Sequence, residues 1–121
     1  MAGITLVTNQ DASTAMENVK KVGRRLGYAV TDVNEFEVAL QKGNAIAGIF
    51  LGAIFPHYIF RVVVRKNPDK TVEIDIERNN PRFTGGALAV GRIKSHAQEV
   101  ADKIAEAIVE QRGEILRRAM F

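Results

Sequence analysis

Apolar residues along most of the chain follow helical or strand-like spacing, and these patterns predict two helices and several strands. A helix is predicted over residues 12–26, because apolar residues recur every three or four positions after Asp11, a typical N-cap. Gly27 suits the C-terminal cap of this helix. A longer helix is predicted to begin at about Ile93 or Ser95. Its apolar stripe consists of Ala97, Val100, Ala101, Ile104, Ala107 and Ile108.

Alternation of apolar and polar residues predicts the strands, which are expected over residues 4–8, 28–33, 36–41, 58–65 and 71–77. The last two form a hairpin around Asn67, Pro68 and Asp69, which suit a type I turn. Matching the apolar and polar faces gives a register. The expected cross-strand pairs are Phe60–Ile76, Val62–Ile74 and Val64–Val72 on one face, and Arg61–Asp75 and Arg65–Thr71 on the other.

The order of these elements indicates the fold class. A strand, a helix, several strands and a long C-terminal helix are typical of an α+β protein. We expect a two-layer sandwich, with an antiparallel sheet of about four to five strands and both helices on one face. A chain of 121 residues is expected to form a single domain over 1–121. The residues after Gly113 are expected to continue the helix for a last turn or to fray.

Composition narrows the functional classes. The chain is 46% hydrophobic and 26% charged, which is typical of a globular protein. It has no cysteine, so disulfides, thiolate metal sites and cysteine catalysis are excluded. The first residues do not resemble a signal peptide, and no apolar run is long enough for a membrane span. We therefore expect a cytoplasmic protein without a transmembrane segment.

Candidate catalytic groups are few. His57 and His96 are the only histidines, and no spacing of histidines and carboxylates supplies the three or four ligands of a metal site. Glu73, Asp75 and Glu77 alternate along one strand and are expected to face arginines across the hairpin. We expect no catalytic residue, no metal and no cofactor, and the sequence favours a protein that is not an enzyme.

Two regions with basic residues are candidates for binding an anion. Lys20, Lys21, Arg24 and Arg25 cluster late in the first helix, but aromatic residues do not lie beside them, so nucleic acid is not the favoured partner. The glycine-bearing stretch 85–94 is similar to a phosphate-binding loop before a helix, but it lacks the lysine and the Ser/Thr of that motif. The candidate anion-binding residues are Arg82, Gly85, Gly86, Gly91, Arg92 and Lys94.

The most unusual feature of the sequence is segment 45–60, AIAGIFLGAIFPHYIF, which is almost wholly apolar. It is predicted to be a short strand or an irregular apolar loop before Pro56. Such a segment is buried in the core, forms a self-association surface, lines an apolar ligand cavity or touches a membrane surface. Its candidate interface or apolar-ligand residues are Ile46, Ile49, Phe50, Leu51, Ile54 and Phe55.

Together these patterns favour a binding protein over a catalyst. The leading hypothesis is a non-catalytic interaction domain that forms a homo-oligomer, preferably a dimer, or binds another protein through segment 45–60 or a sheet edge. The first alternative is a carrier of an apolar small molecule, held between the sheet and the C-terminal helix. The second is an anion or nucleic-acid binder that uses residues 20–25 and 85–94.

Overall fold

The computed structural model describes residues 3–42, 58–78 and 86–120. Within these ranges the chain forms a six-stranded antiparallel sheet and two helices, which confirms the predicted α+β class with one or two more strands than expected. The elements in chain order are β1 (Gly3–Thr8), α1 (Ala12–Arg25), β2 (Ala29–Asn34), β3 (Glu37–Lys42), β4 (Tyr58–Lys66), β5 (Val72–Arg78), α2 (Gly86–Glu110) and β6 (Ile115–Met120).

The strand order across the sheet is β2-β3-β4-β5-β1-β6. Every neighbouring pair is antiparallel. Strand β1 therefore lies between β5 and β6, so the first and last strands of the described chain are hydrogen-bonded neighbours. Strands β2 and β6 form the two edges of the sheet.

Both helices pack on one face of the sheet, as predicted. Alternate residues of the central strands point to that face and are fully buried, among them Ile4, Phe60 and Ile74. Each such side chain stabilises the fold by roughly 1.5–3 kcal/mol relative to an exposed position. The helix residues buried in the same cluster are Ala12, Ala15, Met16, Val19 and Val22 from α1, and Ala97, Val100, Ala101, Ile104 and Ile108 from α2.

Local signals at both ends of α1 are confirmed. The Thr14 N–H donates to Asp11 Oδ2 at 3.2 Å, which identifies Asp11 as the N-cap. At the other end Gly27 has a φ of 91°, and its N–H donates to the Arg24 carbonyl at 3.1 Å. The Tyr28 N–H donates to the Gly23 carbonyl at 2.8 Å, so the helix ends in a Schellman motif with glycine at the left-handed position.

The register predicted for the β4–β5 hairpin is wrong by two residues. Val62 pairs with Ile76 and Val64 with Ile74, while Arg61 lies opposite Glu77 and Arg65 opposite Glu73. An even shift keeps every side chain on its face, so the face pattern alone does not decide between the two registers. The conformation of the turn between β4 and β5 decides the register.

The turn between β4 and β5 is shorter than expected. The Asn67 N–H donates to the Thr71 carbonyl at 2.9 Å, and the Lys70 N–H donates to the Asn67 carbonyl at 3.1 Å. Only Pro68, Asp69 and Lys70 lie between the two bonded residues, and Lys70 has a φ of 69°. A type I turn followed by one left-handed residue is a common three-residue hairpin loop.

Two predictions about the C-terminal third are wrong. Helix α2 begins at Gly86, not at Ile93 or Ser95, and residues Ile115–Met120 form strand β6 instead of a last helical turn. The Gly113 N–H donates to the Ile108 carbonyl at 2.8 Å, and the Arg112 N–H donates to the Val109 carbonyl at 3.0 Å. This second Schellman motif ends α2 and directs the chain back to the sheet.

The two Schellman motifs differ in the residue at the left-handed position, and this difference predicts a stability change. Arg112 has a φ of 67°, which is unfavourable for a residue with a Cβ atom. We expect Arg112→Gly to raise the free energy of unfolding by about 0.5–1 kcal/mol, and Gly27→Ala to lower it by about 1 kcal/mol. Urea unfolding of both variants checks this, and a destabilising Arg112→Gly would contradict it.

Candidate interaction edge

The predicted apolar candidates lie outside the described residues. This applies to Ile46, Ile49, Phe50, Leu51, Ile54 and Phe55. The two residues that flank segment 43–57 are cross-strand partners, Lys42 in β3 and Tyr58 in β4. Arg78 pairs with Phe60 near the same end of the sheet.

The anion-binding candidates are divided between the undescribed segment and α2. Outside the described residues are Arg82 and Gly85, and within the helix are Gly86, Gly91, Arg92 and Lys94. The prediction of a glycine-bearing loop is wrong from Gly86 onward, because these residues are helical. Helical N–H groups beyond the first turn are used in intrahelical hydrogen bonds. A cradle of free N–H groups therefore does not extend to Gly91 or Arg92.

The basic cluster of α1 is divided between an ion pair and solvent. Lys20 Nζ lies 3.0 Å from Asp32 Oδ1 of β2, which ties the helix to that strand. Lys21, Arg24 and Arg25 are exposed. Arg24 and Arg25 lie in the last turn of α1, where the helix dipole favours cations. The ion pair accounts for Lys20 and helix electrostatics for Arg24 and Arg25.

The sheet face opposite the helices carries cross-strand ion pairs. Arg61 Nη2 lies 2.7 Å from Glu37 Oε1, and Arg61 Nη1 lies 3.5 Å from Glu77 Oε2. Arg65 Nη1 lies 3.4 Å from Asp75 Oδ2. Arginines therefore face the carboxylates, as predicted, although the partners differ because of the two-residue shift in register.

One carboxyl group on this face is buried. Asp75 is 4% exposed, and the Thr5 hydroxyl donates to its Oδ1 at 2.7 Å, while Arg65 contacts its Oδ2. A hydrogen bond between Glu73 and Asp75, together with burial and the charge of Asp75, raises the pKa of the Glu73 carboxyl above its ordinary value. Both Asp75 oxygens are engaged within the sheet, so the Asp75 carboxylate on β5 is linked to Thr5 on β1 and to Arg65 on β4.

Exposed large apolar side chains lie at the two edges of the sheet. At the β6 edge, Leu116 is 49% exposed and Met120 is 46% exposed. Val109 of α2, 58% exposed, lines a surface groove together with Arg118 of β6, so it lies on the side of the helix that faces this edge. At the other edge, Val33 and Phe36 are exposed near the β2–β3 turn.

We define the β6 edge as strand β6 together with Val109. Strand β6 pairs with β1 on one side, and the backbone groups on its other side have no neighbouring strand among those that the structure describes. Leu116 has no Cα partner on β1, because the register shifts between Arg117 and Ile115 at a bulge. Arg118 Nη1 lies 2.6 Å from Asp102 Oδ1 of α2, so a carboxylate of the same chain balances its charge.

A cluster of side-chain amides holds the β6 edge in place. Asn18 of α1 is 2% exposed, and its Nδ2 donates to Gln10 Oε1 at 2.7 Å and to Gln111 Oε1 at 3.0 Å. Gln111 Nε2 donates back to Asn18 Oδ1 at 2.8 Å. The Glu114 N–H donates to Asn9 Oδ1 at 2.9 Å. The end of α2 and the start of β6 are thus tied to the β1–α1 connection.

Two further features of the described residues concern metal binding and membrane insertion. Within residues 3–42, 58–78 and 86–120, no cluster of three or more histidine, aspartate or glutamate side chains is arranged to hold a metal ion. Neither helix of the described part of the chain has the length and apolarity that crossing a membrane requires.

Comparison with known proteins does not assign a function. No protein-family model matches the chain, and no curated protein is similar to it in sequence. The β6 edge was not identified from the sequence, because the adjacent arginines Arg117 and Arg118 interrupt the alternation of apolar and polar residues that marks a strand. The signal that precedes them is Gly113, which follows the long helix as a chain-turning residue.

The carboxyl pair predicts an unusual dependence of stability on pH. Because the folded-state pKa of Glu73 is raised, its contribution is present below the unfolded-state value and is lost as the pH rises through the folded-state value. Glu73→Gln keeps a donor for Asp75 but does not ionise. We expect this variant to be more stable than the wild type at pH 7, with the difference shrinking towards pH 4.

Thermal unfolding at the two pH values measures this difference. Glu77→Gln is the matched control, since Glu77 lies on the same strand face and accepts from Arg61, so its replacement should bring no gain at pH 7. A Glu73→Gln variant that is less stable than the wild type at pH 7 would show that Glu73 is held as a favourable carboxylate.

Proposed function

We propose that this protein is a non-catalytic interaction domain that binds a second copy of itself through the β6 edge. The observation that carries the proposal is the coincidence of exposed apolar side chains, on β6 and on the adjacent helix, with a strand edge that pairs with no other strand of the described residues. Unpaired backbone groups on an edge strand are a template for pairing with another chain. Contiguous exposed apolar surface marks interaction sites.

The position of the apolar residues favours β6 over β2. Leu116 and Met120 lie near the two ends of β6, so a second strand laid along this edge would cover both. At the other edge, Val33 and Phe36 both lie at the turn end of β2, and Asp32 is engaged by Lys20. A strand paired along β2 would therefore gain little apolar contact over most of its length.

Segment 45–60 is the alternative contact for self-association. It was the first candidate from the sequence, and the two residues flanking its undescribed part lie side by side at one end of the sheet. Self-association through this segment is distinguished from pairing at β6 by substitution in each region. The carrier of an apolar molecule and the anion or nucleic-acid binder stay predictions from sequence.

Sedimentation velocity over a range of protein concentrations tests the proposal. We expect the wild type to form a dimer, and Leu116→Lys to raise the dissociation constant by at least about tenfold, because each interface then buries two ammonium groups. Val33→Lys is the matched control, since Val33 is similarly exposed on the opposite edge strand. We expect it to leave the dimer intact.

The contrary outcomes are distinct. A wild-type protein that stays monomeric at the highest attainable concentration would refute self-association. A dimer that survives Leu116→Lys but is lost in Val33→Lys would place the contact at β2. A dimer that survives both but is lost in Phe50→Asp would place it in segment 45–60. The substitutions at the exposed residues Leu116 and Val33 should each change the stability of the monomer by less than about 0.5 kcal/mol, which unfolding experiments verify.

A further inference from the structure

We infer that β6 acts as a strap over the edge of β1. It opens without unfolding the rest of the sheet, and charges on its two faces hold it closed. Opening exposes the backbone N–H and C=O groups of β1 that β6 covers. The inference does not depend on the proposed self-association, because it concerns the pairing of β6 with β1 within one chain.

The side chains of β6 contribute little to the core. None of its six residues is buried, since Ile115 and Ala119 are half-buried and the other four are exposed. Strand β1 beside it is the opposite, with five of six residues buried and with Ile4 and Leu6 completely buried. An element with few buried apolar contacts opens at a lower free energy than the core of the same protein. Strand β6 therefore has the burial of a separately opening unit.

An ion pair holds β6 on the helix-covered face. Arg118 lies opposite Leu6, whose side chain is buried on that face, and Arg118 Nη1 lies 2.6 Å from Asp102 Oδ1 of α2. The two charged side chains are 38% and 58% exposed. An ion pair with this exposure stabilises only modestly and is weakened by salt. This part of the hold on β6 is therefore sensitive to ionic strength.

A longer-range attraction holds β6 on the other face. Arg117 lies opposite Val7, and Val7 lies opposite Glu73, so the three residues form one row across the sheet. With strands about 4.8 Å apart, the Cα atoms of Arg117 and Glu73 are about 10 Å apart, and their long side chains shorten the distance between the charges. The hydrogen bond with Asp75 raises the pKa of Glu73, and the positive charges of Arg65 and Arg117 oppose this rise.

The chain is anchored just before β6, so the opening has a defined boundary. The Gly113 N–H donates to the Ile108 carbonyl at 2.8 Å, and a Cβ atom at Gly113 would lie only 2.7 Å from Ile108 Cγ2. The Glu114 N–H donates to Asn9 Oδ1 at 2.9 Å. These contacts are made with α2 and with the β1–α1 connection, so they do not require β6 to be paired with β1.

Amide hydrogen exchange at a protein concentration where sedimentation finds a monomer tests the inference. We expect the amides that bond β1 to β6 to exchange at least about tenfold faster than those that bond β1 to β5. The Gly113 amide should exchange more slowly than the β6 amides. Raising the salt from about 0.01 M to about 1 M shortens the screening length from about 30 Å to about 3 Å. The β1–β6 rates should then rise about two- to fivefold relative to the β1–β5 rates.

A substitution on α2 tests the ion pair directly. Asp102→Asn removes the counter-charge of Arg118 and should speed the β1–β6 exchange about two- to fivefold at low salt. Glu99→Gln is the matched control, because Glu99 is an exposed carboxylate one turn earlier on α2 and is not part of the groove that Arg118 lines. It should leave the β1–β6 rates unchanged.

Two results would overturn the inference. If the β1–β6 amides exchange no faster than the β1–β5 amides, β6 opens only when the whole sheet unfolds. If they exchange faster but respond neither to salt nor to Asp102→Asn, charges do not hold the strap closed.

Discussion

The hydrogen-bonding requirement of the backbone is the constraint on which this structure depends. An open antiparallel sheet satisfies the N–H and C=O groups of its inner strands and leaves one row of them at each edge. Here the last strand, β6, is added outside β1, so the edge is formed by residues that come directly after the long helix. The position of β6 determines which side chains lie at that edge.

The two faces of the sheet have different roles. The helix-covered face carries the core, in which α1 and α2 bury their apolar stripes against alternate residues of the strands. The other face is held by arginine–carboxylate pairs and by the buried contact between Thr5 and Asp75. Since neither face presents a large apolar surface among the described residues, the edges are where exposed apolar side chains are found.

Sequence patterns predicted the parts of the fold that depend on local signals. Helix α1 was predicted to within one residue, because Asp11, the apolar stripe and Gly27 all act within or beside the helix. The hairpin faces were also correct. Its register was wrong, because a pattern with a period of two is unchanged by a shift of two residues, and the left-handed conformation of Lys70 in the turn selects between them.

The candidate interaction edge was predicted only as an unspecified sheet edge. Strand β6 forms by pairing with β1, more than a hundred residues away along the chain, and its central arginines do not alternate with apolar residues. Its formation is therefore a tertiary effect without a local signal. The start of α2 was predicted too late in the sequence, because Gly86 and Gly91 lower helix propensity. In the structure the helix-forming residues around these glycines outweigh their effect.

The most direct test of the central claim is amide hydrogen exchange of β6 at low and high protein concentration. If β6 pairs with a second copy, its amides that point away from β1 will exchange more slowly as the concentration rises, while the outward amides of β2 will exchange at the same rate throughout. Outward β6 amides that exchange equally fast at every concentration would contradict the account.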